Sequence, residues 1–156
     1  MLKQTSLVII FSTGLSALVC ATGQFATPEE ARAMLQRAIT EAKANELSAI
    51  KRFNNNDAAF RDRDLFVFCF NSNDGKFTAH EALVARDVRK LRDSDGKLFG
   101  LEMYDRARED GITEVVYASP LPGSTERTIK KAYVARVGDQ ICGVSAYLKD
   151  SGNPSH

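Results

Sequence analysis

The sequence contains no tryptophan, only 2 histidines and only 4 prolines. It also lacks any large excess of one charge: 21 basic residues stand against 20 acidic ones, for a formal net charge of +1. That balance gives no global field to draw in nucleic acid or anionic lipid. The strands show no interleaving of basic and aromatic residues, so a nucleic-acid platform is not expected. No GxSxG, HExxH or phosphate-loop pattern is present, and no positioned base stands beside a nucleophile, so the chain reads as a non-enzyme. His80 and His156 are the only histidines. Neither has a cysteine or carboxylate at ligand spacing, so no metal and no cofactor is expected. "DSDG" at 93–96 and "NSNDG" at 71–75 place their glycines too early for a calcium loop and read as turns. No internal repeat or low-complexity block is visible.

The first segment has its own character. "MLKQTSLVIIFSTGLSALVCATG" carries Lys3 as its one charge, and its apolar run is interrupted by Ser12, Thr13, Gly14 and Ser16. The small residues after Val19 fit a secretory signal cut after Ala21. The alternative is a membrane anchor, for which the run is short and polar-broken against the ~20 apolar residues a span needs. Residues 22–156 then form one domain. Export would place Cys69 and Cys142 in an oxidising compartment. The pair can be a cross-strand disulfide or two buried thiols; the sequence leaves both open.

Residues 27–54 read as one long amphipathic helix. Thr27 is its N-cap, Pro28 the first helical residue and Glu30 the partner in a capping box. "DLFVFCF" sends Leu65, Val67 and Cys69 to one face and Phe66, Phe68 and Phe70 to the other. A strand apolar on both sides is covered on both sides. "KFTAH" returns as a hairpin strand, and a mostly loop segment follows. "KLFGLEMYDRARED" is a second helix with Phe99, Met103 and Ala107 on one stripe and Gly111 as its stop. "TEVVYAS", "TIKKAYVARV" and "ICGVSAYL" are three further strands, and the tail "KDSGNPSH" is expected to fray. The architecture is α+β, a long helix across one face of an antiparallel sheet, with the sheet at about residues 60–148. The other face is partly closed by the second helix and its loop, where a ligand pocket would form.

In "TIKKAYVARVG", Lys131 shares a face with Ile129, Tyr133, Ala135 and Val137, while Lys130, Ala132, Val134 and Arg136 share the other. Lys131 either reaches past the core to water or meets an anion.

The chain resembles the single Cache domain, a PAS-like extracytoplasmic sensor module, and more narrowly small exported proteins made of little else. The resemblance runs through "RDRDLFVFCFNSNDGKFTAH", "ALVARDVRKLRDSDGKLFGLEM" and "KKAYVARVGDQICGVSAY", with "ATPEEARAMLQRAI" fitting the leading helix. Ala85 stands where the family usually has glycine, and "VVYASPLPGST" replaces an aromatic stretch of which Tyr117 is the remnant.

The resemblance implies a PAS-like five-stranded antiparallel sheet and a small ligand, often a carboxylate. It implies that Lys131 and Tyr133 hold the ligand's anionic group and that His80 borders the pocket. Arg86 would add a guanidinium contact, its alternative being surface pairing with Asp87. Phe99, Met103 and Tyr117 would line the pocket. A domain of this kind, exported without a spanning helix of its own, would present ligand to a membrane receptor or sensor kinase, or serve as a binding reserve. The alternative is a periplasmic interaction module with a degenerate pocket. Oligomeric state is left open.

Overall fold

The computed structural model describes residues 24–148. The expected signal segment up to Ala21 and the expected frayed tail at 149–156 lie outside the described residues. Two helices lead: α1, Pro28–Ala44, and α2, Glu46–Asn54. A short ribbon follows, β1 (Arg61–Asp62) and β2 (Leu65–Phe66), and then the hairpin β3 (Phe68–Asn71) and β4 (Phe77–Ala79). A 3-10 turn at Val88–Lys90 and helix α3, Phe99–Arg106, come next. Strands β5 (Thr113–Pro120), β6 (Arg127–Val137) and β7 (Gln140–Leu148) complete the described residues. The main sheet has the order β4-β3-β7-β6-β5, antiparallel throughout. No described helix is long and apolar enough to cross a membrane.

The capping box forms as expected: Thr27 Oγ1 accepts from the Glu30 amide, and Glu30 returns a carboxylate to the Thr27 amide at 2.7 Å. The expected single helix is broken at Asn45, whose backbone is extended (φ -159°). Its side chain accepts from the Ser48 amide and so caps α2. Asparagine offers the backbone this local bond in place of helix continuation. The second helix is also shorter than expected, ending at Arg106 with Ala107 as its C-cap rather than running on to Gly111.

The sheet has two distinct faces. Leu65, Val67, Cys69, Tyr133, Val137, Cys142, Val144 and Ala146 join Met34, Leu35 and the alanines of α1 in one core. Phe68, Phe70, Phe77, Ala132, Val134 and Ile141 form the other, beneath Val88 and Met103. The alternation read from "DLFVFCF" is therefore the division between the two cores. Cys69 and Cys142 are register partners on β3 and β7 with Cα atoms 4.0 Å apart, and they are disulfide-bonded. The bridge spans a sequence separation of 73, which a chain-entropy account values at roughly 4 kcal/mol.

Glycine is required at two close approaches. A Cβ on Gly100 would lie 1.9 Å from the Val88 carbonyl oxygen, so α3 seats on the 3-10 turn only without a side chain there. A Cβ on Gly143 would lie 2.5 Å from the Phe68 ring, which uses that gap. Ala85 has φ 68°, in the left-handed region, where a Cβ costs about 1–2 kcal/mol.

Two outcomes are expected. Gly100→Ala lowers unfolding stability by at least about 1–3 kcal/mol, because backbone cannot yield as a side chain can. Ala85→Gly raises it by about 0.5–1 kcal/mol, the relieved strain exceeding the extra unfolded-state entropy. Urea titration of the two variants checks both.

Candidate functional site

The cavity of interest lies between the sheet face away from α1 and the cover made by residues 81–98 and α3. The main sheet contributes Phe68, Phe77, Tyr117, Lys130 and Ser145, and the β1–β2 ribbon Phe66; the cover contributes Leu83, Val88, Leu91, Phe99 and Met103; His80 stands between them. Its volume is about 90 Å³ and its lining is predominantly apolar. Asp93 fixes the loop that leads into α3. Its carboxylate accepts from the amides of Asp95, Lys97 and Ala118, tying the loop to β5. Burial works to raise the Asp93 pKa, but these backbone donors outweigh it and hold the carboxyl below its usual range. The "DSDG" segment is thus a turn built on one aspartate. The described residues contain no group of three or more His, Cys, Asp or Glu that could hold a metal ion.

Four of the expected site residues meet here: His80, Phe99, Met103 and Tyr117. The Phe99 and Tyr117 rings stack at 4.2 Å and form one wall. Burial pushes the Tyr117 phenol up to about 12, so it is a neutral donor at physiological pH. The Ser145 hydroxyl lies near enough to ease that shift, yet it is buried without a well-formed hydrogen bond. The His80 ring packs edge-on against Phe66 and Phe77, at 5.1 and 5.0 Å. Its Nδ1 accepts from the Ala82 amide at 3.0 Å. That bond leaves the proton of the neutral ring on Nε2. Burial holds the His80 pKa below its ordinary 6.5, with Glu81 opposing and Lys130 adding to the shift.

Lys131, Tyr133 and Arg86 are elsewhere. Lys131 lies on the face toward α1, near the sheet's edge, and its ammonium pairs with Glu114 on β5 at 2.7 Å. Tyr133 is buried in the core under α1, 4% exposed. The parity of β6 that joins these two also removes both from the cavity. Arg86 is exposed and outside the lining, and Asp87, its expected partner, pairs with Arg89 instead.

The residue sequence reasoning missed is Lys130. It sits between Tyr117 and Tyr147 in the strand registers of β5, β6 and β7. Its ammonium lies over the Tyr147 ring, 4.3 Å from the centroid. It makes no hydrogen bond or ion pair with a described residue. Burial holds its pKa below the lysine norm, partly opposed by the charges of Asp64 and Glu81. Lys130 and Phe66 also line an adjoining polar chamber of about 280 Å³ with Arg61, Arg63, Asp64, Glu81, Pro122 and Tyr147. A legible signal existed: Lys130 shares parity with Ala132 and Val134, and only the choice of face was undetermined.

No family model matches the chain, and no curated protein matches it in sequence. Solved structures do match its fold. A crystal structure of a methyl-accepting chemotaxis protein from Vibrio parahaemolyticus RIMD 2210633 is 20% identical with a TM-score of 0.60, covering 78% of this chain and 88% of that one. A periplasmic sensor domain of a chemotaxis protein is 23% identical with a TM-score of 0.55, covering 78% and 90%. A Cache chemosensory domain, described for its structural basis of carboxylic acid recognition, is 19% identical with a TM-score of 0.57, covering 78% and 92%. The chain has the fold of a single Cache-like domain, with the α+β, PAS-like sheet that the resemblance implied.

The His80 environment has a measurable consequence. A histidine whose folded pKa lies below its unfolded value contributes stability that is present above about 6.5 and is lost as pH falls through the folded pKa. Urea midpoints across mildly acidic pH should therefore fall for the parent and fall less steeply for His80→Gln. Equal slopes would show that His80 is not buried in neutral form.

Proposed function

We propose that this domain is an exported sensor module that binds a short monocarboxylate, with Lys130 as the anion's partner. The observation that carries this reading is a partly buried lysine at an apolar cavity with no described carboxylate within ion-pair distance, Asp64 and Glu81 acting on it only from the adjoining chamber. A buried unpaired ammonium is costly, and an incoming carboxylate offsets that cost through a charge-assisted bond. The His80 Nε2–H and the Tyr117 hydroxyl are the neutral donors available to the same oxygens. The lining leaves no second cation for a dicarboxylate deep in the cavity. A volume of about 90 Å³ holds only a handful of water-sized groups, so the acid is a small one.

Three supports converge on the sensor reading. The fold is shared with sensor domains of chemotaxis proteins, one of them described for carboxylic acid recognition. The Cys69–Cys142 disulfide suits an oxidising compartment, as export to the periplasm or beyond would supply. The sites of a sensor domain require recognition and not turnover, and the cavity offers donors without a nucleophile paired to a base. The signalling partner would be a membrane receptor or sensor kinase.

Isothermal calorimetry and thermal shift against acetate, propionate, butyrate and pyruvate test this. At 100 times its Kd, a ligand stabilises by about 2.7 kcal/mol. Lys130→Met is expected to weaken binding about 30-fold or more, the result of removing a buried charged partner. Lys131→Met, which removes the pair with Glu114 and the contact with the Tyr133 ring on the other face, should bind as the parent does. Equal binding by Lys130→Met and the parent, or no shift with any small acid, contradicts the proposal.

A further inference from the structure

Lys130 touches more than the cavity, and its other neighbours share one property. On the side of the polar chamber it faces Asp64 and Tyr147. Asp64 Oδ1 accepts from the Ala26 amide at 2.7 Å. Tyr147, whose face carries the Lys130 ammonium, packs its edge against the Phe25 ring with centroids 5.3 Å apart. Phe25 and Ala26 are the residues that lead into Thr27, the N-cap of α1. Each of the two groups flanking the ammonium therefore holds one residue of the segment entering the helix. Tyr147 is itself fixed by its hydroxyl, which donates to the Pro120 carbonyl at 2.9 Å. Asp64 is less well secured: its Oδ2 is buried without a hydrogen-bond partner among the described residues.

We propose that Asp64 and Tyr147 couple the Lys130 site to the segment entering α1, so that an anion at Lys130 loosens the hold on Phe25 and Ala26. The proposal rests on the reading of Lys130 as the anion's partner. The physical step is electrostatic. In the free protein the Lys130 ammonium attracts the Asp64 carboxylate across the chamber, and Glu81, Arg61 and Arg63 complete the charged rim. A bound carboxylate cancels the lysine and adds a like charge near Asp64. That like charge repels the Asp64 carboxylate, whose Oδ2 has no hydrogen bond among the described residues to anchor it, away from the Ala26 N–H, and that bond weakens. The same anion draws the ammonium off the Tyr147 face, which weakens the cation–π contact under which Phe25 is seated. The output is a change at the start of α1, the helix that covers the opposite face of the sheet.

The Ala26 amide is its own reporter. Hydrogen exchange of the whole chain is measured at fixed pH, with the Leu35 and Val144 amides as internal controls for folding. Lys130→Met is expected to speed Ala26 exchange at least about twofold, while Lys130→Arg, which keeps the charge, leaves it near the parent. Asp64→Asn should also speed it, and adding Lys130→Met to Asp64→Asn should have no further effect. Unchanged Ala26 exchange in Lys130→Met, with the controls intact, overturns the coupling whatever the ligand is. Propionate is then the probe for the liganded state. Propionate that binds by calorimetry should speed Ala26 exchange in the parent and not in Asp64→Asn. Binding without that change overturns the coupling and leaves the ligand reading standing. Failure of propionate and its homologues to bind defeats the ligand reading, and the variant arm alone then decides the coupling.

Discussion

Side-chain alternation along β6 sends two adjacent lysines to opposite faces of one sheet, into different electrostatic surroundings. Lys131 reaches the edge of the face beneath α1, where Glu114 neutralises it. Its pKa is raised, chiefly by that bond. Lys130 enters the other face, where aromatic rings surround it, and its pKa is lowered by burial. A shift of one residue in the strand register would exchange them. The register is held on both sides, by eight-residue pairing with β5 and by pairing with β7 from Ile129↔Leu148 to Val137↔Gln140. The disulfide on β3 and β7 locks the neighbouring register as well.

The cavity exists because its cover is seated by backbone, not by bulk. Gly100 lets α3 rest on the Val88 carbonyl, Gly143 gives the Phe68 ring its place, and Asp93 ties the preceding loop to β5. The stacked Phe99–Tyr117 pair joins cover to sheet at the cavity wall. These features leave room for a small guest but not a large one. They also explain why Ala85 keeps the backbone conformation of a glycine: the Phe77 carbonyl accepts from its amide, and the Phe77 amide donates to the next residue's carbonyl, closing the loop against β4.

Much of the fold was legible in the residues. The capping box at Thr27, the two-faced alternation over Leu65–Phe70, the turns at Asn71 and Asp93, and the order of the main sheet's five strands follow from local chemistry, while the break of that expected strand at Val67 into β2 and β3 does not. The break at Asn45 was not, because the helical stripe continues across it and only the side-chain cap reveals the interruption. The site was half legible. His80, Phe99, Met103 and Tyr117 were placed by the resemblance, and the structure brings them together. Lys131 and Tyr133 were placed there too but lie on the opposite face, because period-two alternation groups residues by face without saying which face is which. What decides the face is packing across strands: the Phe68 ring lies against Gly143 and Phe70 pairs with Ile141, while α1 covers the disulfide, Val144 and Ala146. That is information about partners, and a single strand does not carry it.

The central claim is that the anion meets Lys130, on the cavity face. NMR titration of the two lysine ammonium groups tests it most directly, with and without saturating short monocarboxylate. Lys130 begins below the lysine norm because burial outweighs the attraction of Asp64 and Glu81, so binding should move its pKa upward while Lys131, already paired with Glu114, stays where it is. An unmoved Lys130, or a response at Lys131 instead, would contradict the account.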